Sequence, residues 1–189
     1  NAILGWASML NRHSLSQFQT RHALQVIQQS ARSQASLVDD ILDTARIITG
    51  RLKLDAHPVE IERVFQAAID VIRPSAEAKR IVFQAVVDDR SSIVFGDANR
   101  VQQVIWNLLS NAVKFTNEGG RVEARLSRAG GHIEITVTDT GMGIEPQFMP
   151  YLFDRFRQAD STSTRKYGGL GLGLAIVRHV VEMHGGTVA

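Results

Sequence analysis

Cysteine is absent from this 189-residue chain. That excludes disulfide staples and thiolate zinc sites, and it fits a reducing compartment. Blocks of like charge are absent as well: 21 Lys and Arg stand against 19 Asp and Glu, for a net charge of +2. A pI near 9.3 therefore leaves no footprint for nucleic acid. No apolar run reaches bilayer-spanning length, no secretory leader is visible, and neither repeats nor low-complexity tracts occur. What remains is 44% hydrophobic and 21% charged, the composition of an ordinary soluble protein. The length suits one domain and an appendage, because a domain of about 150 residues buries roughly 70% of its unfolded surface.

Periodicity divides the chain in two. Residues 1 to about 12 read as a helix end, with Ile3, Trp6, Ala7 and Leu10 on one side. A polar turn leads into a long helix from about Ser16 to Ile48. Its apolar positions Leu24, Ile27, Ala31, Val38, Ile41, Ala45 and Ile48 step by threes and fours, with a break at Gln34. That is a bundle seam, and one hairpin with such a seam needs a partner, so a dimeric four-helix bundle completes it. The expected boundaries are 1–50 for this partial bundle, 51–58 for a linker with one short strand, and 59–189 for a second domain. There Val64 to Ile72 is predicted as helix limited by Pro74, Ile81 to Val87 as a strand, and Asp97 to Phe115 as a long helix. Arg121 to Arg128 and His132 to Thr138 alternate as antiparallel strands about an Ala-Gly-Gly turn. A short helix is predicted over Glu145 to Phe156. A polar, Ser/Thr-rich stretch from Gln158 to Tyr167 reads as a mobile lid. A last helix covers Leu172 to Met183, and a strand begins after Gly186. The fold class is α+β, a helical hairpin followed by a two-layer α/β sandwich.

Three segments of the second domain carry chemistry. In Asp139-Thr-Gly141-Met-Gly143-Ile a carboxylate stands beside two glycines, which suits a base-binding turn. The carboxylate accepts from an exocyclic amine, and the glycines let backbone approach a ligand. Asn107 and Asn111 lie four apart on one helical face and can offer amide oxygens to Mg²⁺. Lys114 shares that face and is weighed as a phosphate contact against an ordinary surface lysine. The run Gly168-Gly169-Leu-Gly171-Leu-Gly173-Leu174 opens directly into an apolar helix, whose N-terminus suits phosphate oxygens. It fits neither the dinucleotide fingerprint, since Leu174 stands where the third glycine belongs, nor the P-loop. Base, metal and phosphate together mean a nucleotide.

In this order the segments resemble the catalytic core of a bacterial sensor histidine kinase, of the kind that shares its ATP-binding fold with gyrase-type ATPases. Asn107 to Phe115 resembles the N box, Asp139 to Gly143 the G1 box, Phe153-Asp-Arg-Phe156 the F box, and Gly169 to Gly173 the G2 box. Asn1 to Ala7 is similar to the segment just after the H box. The resemblance implies ATP and Mg²⁺ as cofactors, with Asp139 reading the adenine amino group and Asn111 ligating Mg²⁺, supported by Asn107. ATP-binding positions carried over are Asn107, Asn111, Lys114, Asp139, Gly141, Gly143, Gly169, Gly171, Gly173 and Leu174. It further implies transfer of the γ-phosphoryl group to a bundle histidine and relay to an aspartate of a response-regulator receiver domain. A homodimer and a cytoplasmic location follow, with any membrane attachment in parent regions outside the chain.

None of His13, His22, His57, His132, His179 and His184 sits in an H-box context. The acceptor histidine is therefore expected before Asn1, the chain is read as a fragment that binds ATP without phosphorylating itself, and the last strand is expected to be cut short. All six histidines are read as bland, and Asp39, Asp40 and Asp43 as a solvated cluster. Arg165 and Lys166 are weighed as phosphate contacts against ordinary solvated charges. Phe153 and Phe156 are read as anchors of the lid helix. Two rivals stand beside the kinase. A gyrase- or chaperone-type ATPase would need a glutamate where Asn107 stands, to activate water. A non-catalytic dimer scaffold would keep the nucleotide only as structure.

Overall fold

The computed structural model describes residues 2–12, 15–88, 93–158 and 170–189. The chain forms two compact units, 1–48 and 49–189. In the first, α1 (Ala2–Arg12) packs on α2 (Gln17–Ile48). The contact side of α2 includes Ala23, fully buried, and His22, whose ring meets Trp6 edge-on with centroids 5.4 Å apart. Ser16 opens α2 with a reciprocal cap: its Oγ accepts from the Gln19 N–H while Gln19 Oε1 accepts from the Ser16 N–H. The seam positions Leu24, Val38, Ile41 and Ile48 are each at least half exposed. The hairpin thus leaves one apolar stripe uncovered.

In the second unit, β1 (His57–Glu60) runs into α3 (Ile61–Ala78). Next come β2 (Val82–Val87), β3 (Ile93–Gly96) and α4 (Ala98–Phe115), then β4 (Arg121–Ala129), β5 (His132–Asp139) and finally α5 (Gly173–Met183). Among the described residues there are two sheets. β1 pairs antiparallel with β3, and β2-β4-β5 forms a sheet in which β2 is parallel and β5 antiparallel to β4. Alternation on β4 sends Val122, Ala124 and Leu126 to one face. There they meet Phe65, Ile69 and Ile72 of α3 and Ile105 and Leu109 of α4. Helices on one face of a sheet make the two layers expected.

Four local expectations change. Pro74 lies inside α3 and does not end it. Pro74 and Asp70, whose carbonyl loses its donor, are both exposed, so water can satisfy that carbonyl while Ile72 and Ala76 keep the buried face continuous. The helix ends instead after Ala78, with Arg80 left-handed at φ 52° and the Ile81 N–H closing on the Ala76 carbonyl at 2.9 Å. Strand β3 was not anticipated. The segment 145–156 forms one 3₁₀ turn, Met149–Tyr151, among turns closed three residues apart, because Pro150 cannot donate and Met149, Tyr151 and Phe156 remain exposed. Thr187 to Ala189 pair with no strand among the described residues.

Candidate functional site

Helix α4 is fastened at both ends. At its start Asp97 is the N-cap, its Oδ1 accepting from the N–H groups of Asn99 and Arg100 at 3.1 and 3.2 Å, while Oδ2 accepts from the Asp55 N–H at 3.1 Å. Desolvation pushes this carboxyl up, but those N–H bonds and the Arg100 charge outweigh it and hold the pKa below the usual value. At its end, Lys79 Nζ donates to the carbonyls of Val113, Lys114 and Thr116 at 2.7, 2.9 and 2.8 Å. One ammonium satisfies three acceptors that the helix leaves open.

Between those caps the asparagines take their places. Asn107 is 6% exposed, and its Nδ2 has no hydrogen-bond partner among the described residues. A buried amide donor without an acceptor is costly unless a ligand supplies one. Asn111, one turn on, is half-buried, as is Lys114, whose pKa desolvation lowers. The Lys114 ammonium lies 4.8 Å from the centre of the Phe115 ring.

The turn after β5 packs on the end of α4. Asp139, the last residue of β5, pairs with Val122. Its carboxylate is exposed, because β5 edges its sheet among the described residues and Asp139 ends it; Oδ1 accepts from the Gly141 N–H at 2.7 Å. Gly141 has no room for a side chain: a Cβ there would lie 2.7 Å from the Phe115 carbonyl oxygen and 2.7 Å from Asp139 Oδ1. Thr140 ties the turn to β4 through its Oγ1, which accepts from the Arg121 N–H at 2.9 Å.

The last glycines meet two other segments. Gly171 has φ +69°, and a Cβ on it would lie 2.5 Å from the Arg157 carbonyl oxygen. Beside it the Phe156 N–H donates to the Gly171 carbonyl at 3.0 Å, with Phe156 itself left-handed at φ 61°. Phe156 is 63% exposed, so its backbone, not its ring, does the anchoring. Phe153 lines an open groove with Ala175, Arg178 and His179. Gly173 opens α5 against Asn107, whose Oδ1 would be 3.3 Å from a Cβ there. The helix is seated by Leu172, Ile176, Val177 and Val180, all buried; Leu174 is half-buried.

The predicted residues therefore converge in two contacts, Asn107 with Gly173 and Phe115 with Gly141, the latter bringing Asp139 along. Gly143 adopts φ +71° in the open part of the turn. Gly169, Arg165, Lys166, His13 and the lid from residue 159 on lie outside the described residues. Sequence reading missed Lys79 and His184. No local pattern marks either, since their partners lie 34 and 87 residues away. Nor is the aspartate cluster of α2 merely solvated: Asp43 is 5% exposed, and Asp40 is raised to about 6 by desolvation, then by the charges of Asp43 and Asp39.

The donor set suits only a shared metal ion. Among the described residues no group of three His, Cys, Asp or Glu side chains could hold one. Asn111 and Asn107 offer neutral oxygens, which hold Mg²⁺ only together with phosphate oxygens and water.

Residues 96–189 match the family described as "Histidine kinase-, DNA gyrase B-, and HSP90-like ATPase". Hybrid signal transduction histidine kinase D of Dictyostelium discoideum is 36% identical over 233 residues, covering 100% of this chain and 15% of that protein. The chain spans a correspondingly small part of the other curated relatives it matches, such as 21% of the sensor protein GacS of Pseudomonas syringae, at 35% identity over all of this chain. Among solved structures, full-length ShkA in complex with AMPPNP aligns with TM-score 0.71 and 31% identity, over 96% of this chain and 37% of that one. A mycobacterial sensor histidine kinase, MprB, aligns with TM-score 0.60 and 35% identity, over 69% and 80%.

Proposed function

We propose, for a chain that belongs to the histidine kinase family and carries its ATPase-type domain, that residues 59–189 bind Mg-ATP and phosphorylate a histidine on a dimeric helical bundle to which residues 1–50 contribute. Relay to a response-regulator aspartate follows. The observation that carries this reading is the convergence on α4: the Asn107 amide, whose Nδ2 is unpaired among the described residues, sits where α5 begins, and the Asp139 turn packs on the Phe115 end of α4.

Asp139 accepts from the adenine amine, and Gly141 lets the base approach the backbone. The free N–H groups at the start of α5 receive phosphate oxygens, and Asn107 Nδ2 donates to one of them. Asn111 offers its Oδ1 to Mg²⁺, which when bound neutralises phosphate charge. Lys114 adds a cation on the same face. The domain's work is positioning and charge neutralisation. Asn107 stands where the hydrolytic rival needs a general base, and an amide cannot serve as one. The exposed seam of α2 suits a second copy of the chain, the AMPPNP bound to the ShkA relative fits an ATP site, and the hybrid relative fits the relay.

The test is titration of the chain with ATP, with and without Mg²⁺, followed by transfer from labelled ATP to a separately supplied helical hairpin bearing the histidine. Asp139→Asn should weaken ATP binding severely in a folded protein, since an amide can present a donor to the adenine amine. Asn111→Ala should weaken binding with Mg²⁺ more than without it. Unchanged affinity in the first variant removes the adenine assignment, and equal losses in the second make Asn111 structural.

A further inference from the structure

At the far end of α5 the His184 ring is held through both nitrogens. Nε2 lies 3.0 Å from the Asp97 N–H, and Nδ1 lies 2.8 Å from the Val180 carbonyl. A backbone N–H only donates and a carbonyl only accepts, so Nε2 is bare and Nδ1 carries the hydrogen. The Asp97 carboxylate is engaged by the Asp55, Asn99 and Arg100 N–H groups. The tie is therefore to the backbone where α4 begins and is not an ion pair. Gly96 makes room for the ring, since a Cβ there would lie 2.9 Å from His184 Cδ2.

Two of the contacts that join α4 and α5 are spaced alike. Asn107 follows Asp97 by ten residues and His184 follows Gly173 by eleven, about 15 and 16.5 Å at the helical rise. Thus α5 runs antiparallel along α4, with His184 against Asp97 at one end and Gly173 against Asn107 at the other. A slip of one residue would move the start of α5 by about 1.5 Å, enough to spoil the positioning of a reacting phosphate.

We propose that His184 is a positioning residue that holds α5 in register on α4 and thereby sets the phosphate-binding start of α5 against Asn107. The inference rests on the nucleotide reading above. It predicts a loss confined to the phosphates, because the adenine turn at Asp139 and Gly141 hangs on the other end of α4.

The experiment measures ATP and adenosine affinities side by side for the chain and three variants, with thermal unfolding as the check of folding. His184→Leu, which leaves the Asp97 N–H without its acceptor, should weaken ATP about tenfold and leave adenosine unchanged. Gly96→Ala should do the same by displacing the ring. His184→Gln, which can still offer an oxygen to Asp97, should recover most of the loss. Imidazole nitrogen NMR of the unsubstituted chain should show Nδ1 protonated and Nε2 bare. Equal losses for ATP and adenosine, or unchanged ATP affinity in folded His184→Leu and Gly96→Ala, would overturn the proposal, as would a proton on Nε2. An unsubstituted chain that binds no ATP would overturn the nucleotide reading, and this inference with it; normal binding alongside silent His184 variants would overturn the inference alone.

Discussion

At the scale of the residue, the site is defined as much by missing side chains as by present ones. Gly141 is the clearest case. Its Cα faces the Phe115 carbonyl and the Asp139 carboxylate so closely that a methyl would sit 2.7 Å from each oxygen. Neither can yield easily: the carbonyl belongs to the last residue of α4, and the carboxylate is held by the Gly141 N–H. Gly141→Ala should therefore push the turn off α4, weakening ATP binding by about tenfold or more, the size of an ordinary overpacking cost. Circular dichroism should remain that of the folded chain. Calorimetry that finds native affinity in this variant would show that the turn does not touch the nucleotide. The glycine and aspartate were legible in the sequence as a motif. The carbonyl that makes the glycine obligatory lies 26 residues earlier in the chain, and only the fold brings it there.

At the scale of the element, α4 shows why two ends matter more than composition. Its N-terminus was readable because Asp directly before an apolar-periodic run is a capping signal. Its end at Phe115 was anticipated too, but the group that caps it was not, because Lys79 comes from just past the end of α3. Lys79→Met keeps the length of the side chain and deletes the donor. It should destabilise the chain by about 2 to 3 kcal/mol, since hydrogen bonds from a charged group are each worth more than neutral ones but share one ammonium. Urea unfolding should show a lower midpoint with an unchanged slope, and Lys79→Arg should restore part of it. A midpoint shift below about half a kcal/mol, the range of an ordinary surface substitution, would mean that water caps α4 equally well. The same logic accounts for Pro74: a proline stops a helix only if its freed carbonyl is shut off from water and the buried face ends there, and in α3 neither holds.

At the scale of the whole molecule, burial of charge sets a pH dependence. Asp40 in α2 is raised from 3.8 to about 6 by desolvation and by Asp43 and Asp39. The folded chain thus binds this proton more tightly than the unfolded chain does. Stability from the group is fully present below pH 3.8 and is lost as pH rises through about 6. Asp40→Asn stays neutral throughout, so it should raise stability at pH 7 by about 1 kcal/mol, after discounting for partial exposure, and change little at pH 4. Thermal unfolding at the two pH values decides this; an equal gain at both would place the effect outside Asp40 ionisation.

Local order in the chain determined a good deal: the helical hairpin with its seam, the alternation of β4 and β5, and the four segments that resemble a histidine kinase core. Each is written in spacing, capping or turn residues a few positions apart, so neighbours suffice to specify it. Tertiary structure decided what depends on distant partners. It kept α3 running through Pro74, where buried face and solvent decide together, and it paired β3 with β1. It left Asp139 at an exposed strand end and drew Asp43 into burial. It also turned His184, unremarkable among six histidines, into the contact that sets α5 against α4. A side chain's role in such cases depends on which backbone group lies within about 3 Å, the reach of a hydrogen bond, and that is fixed only when the layers pack.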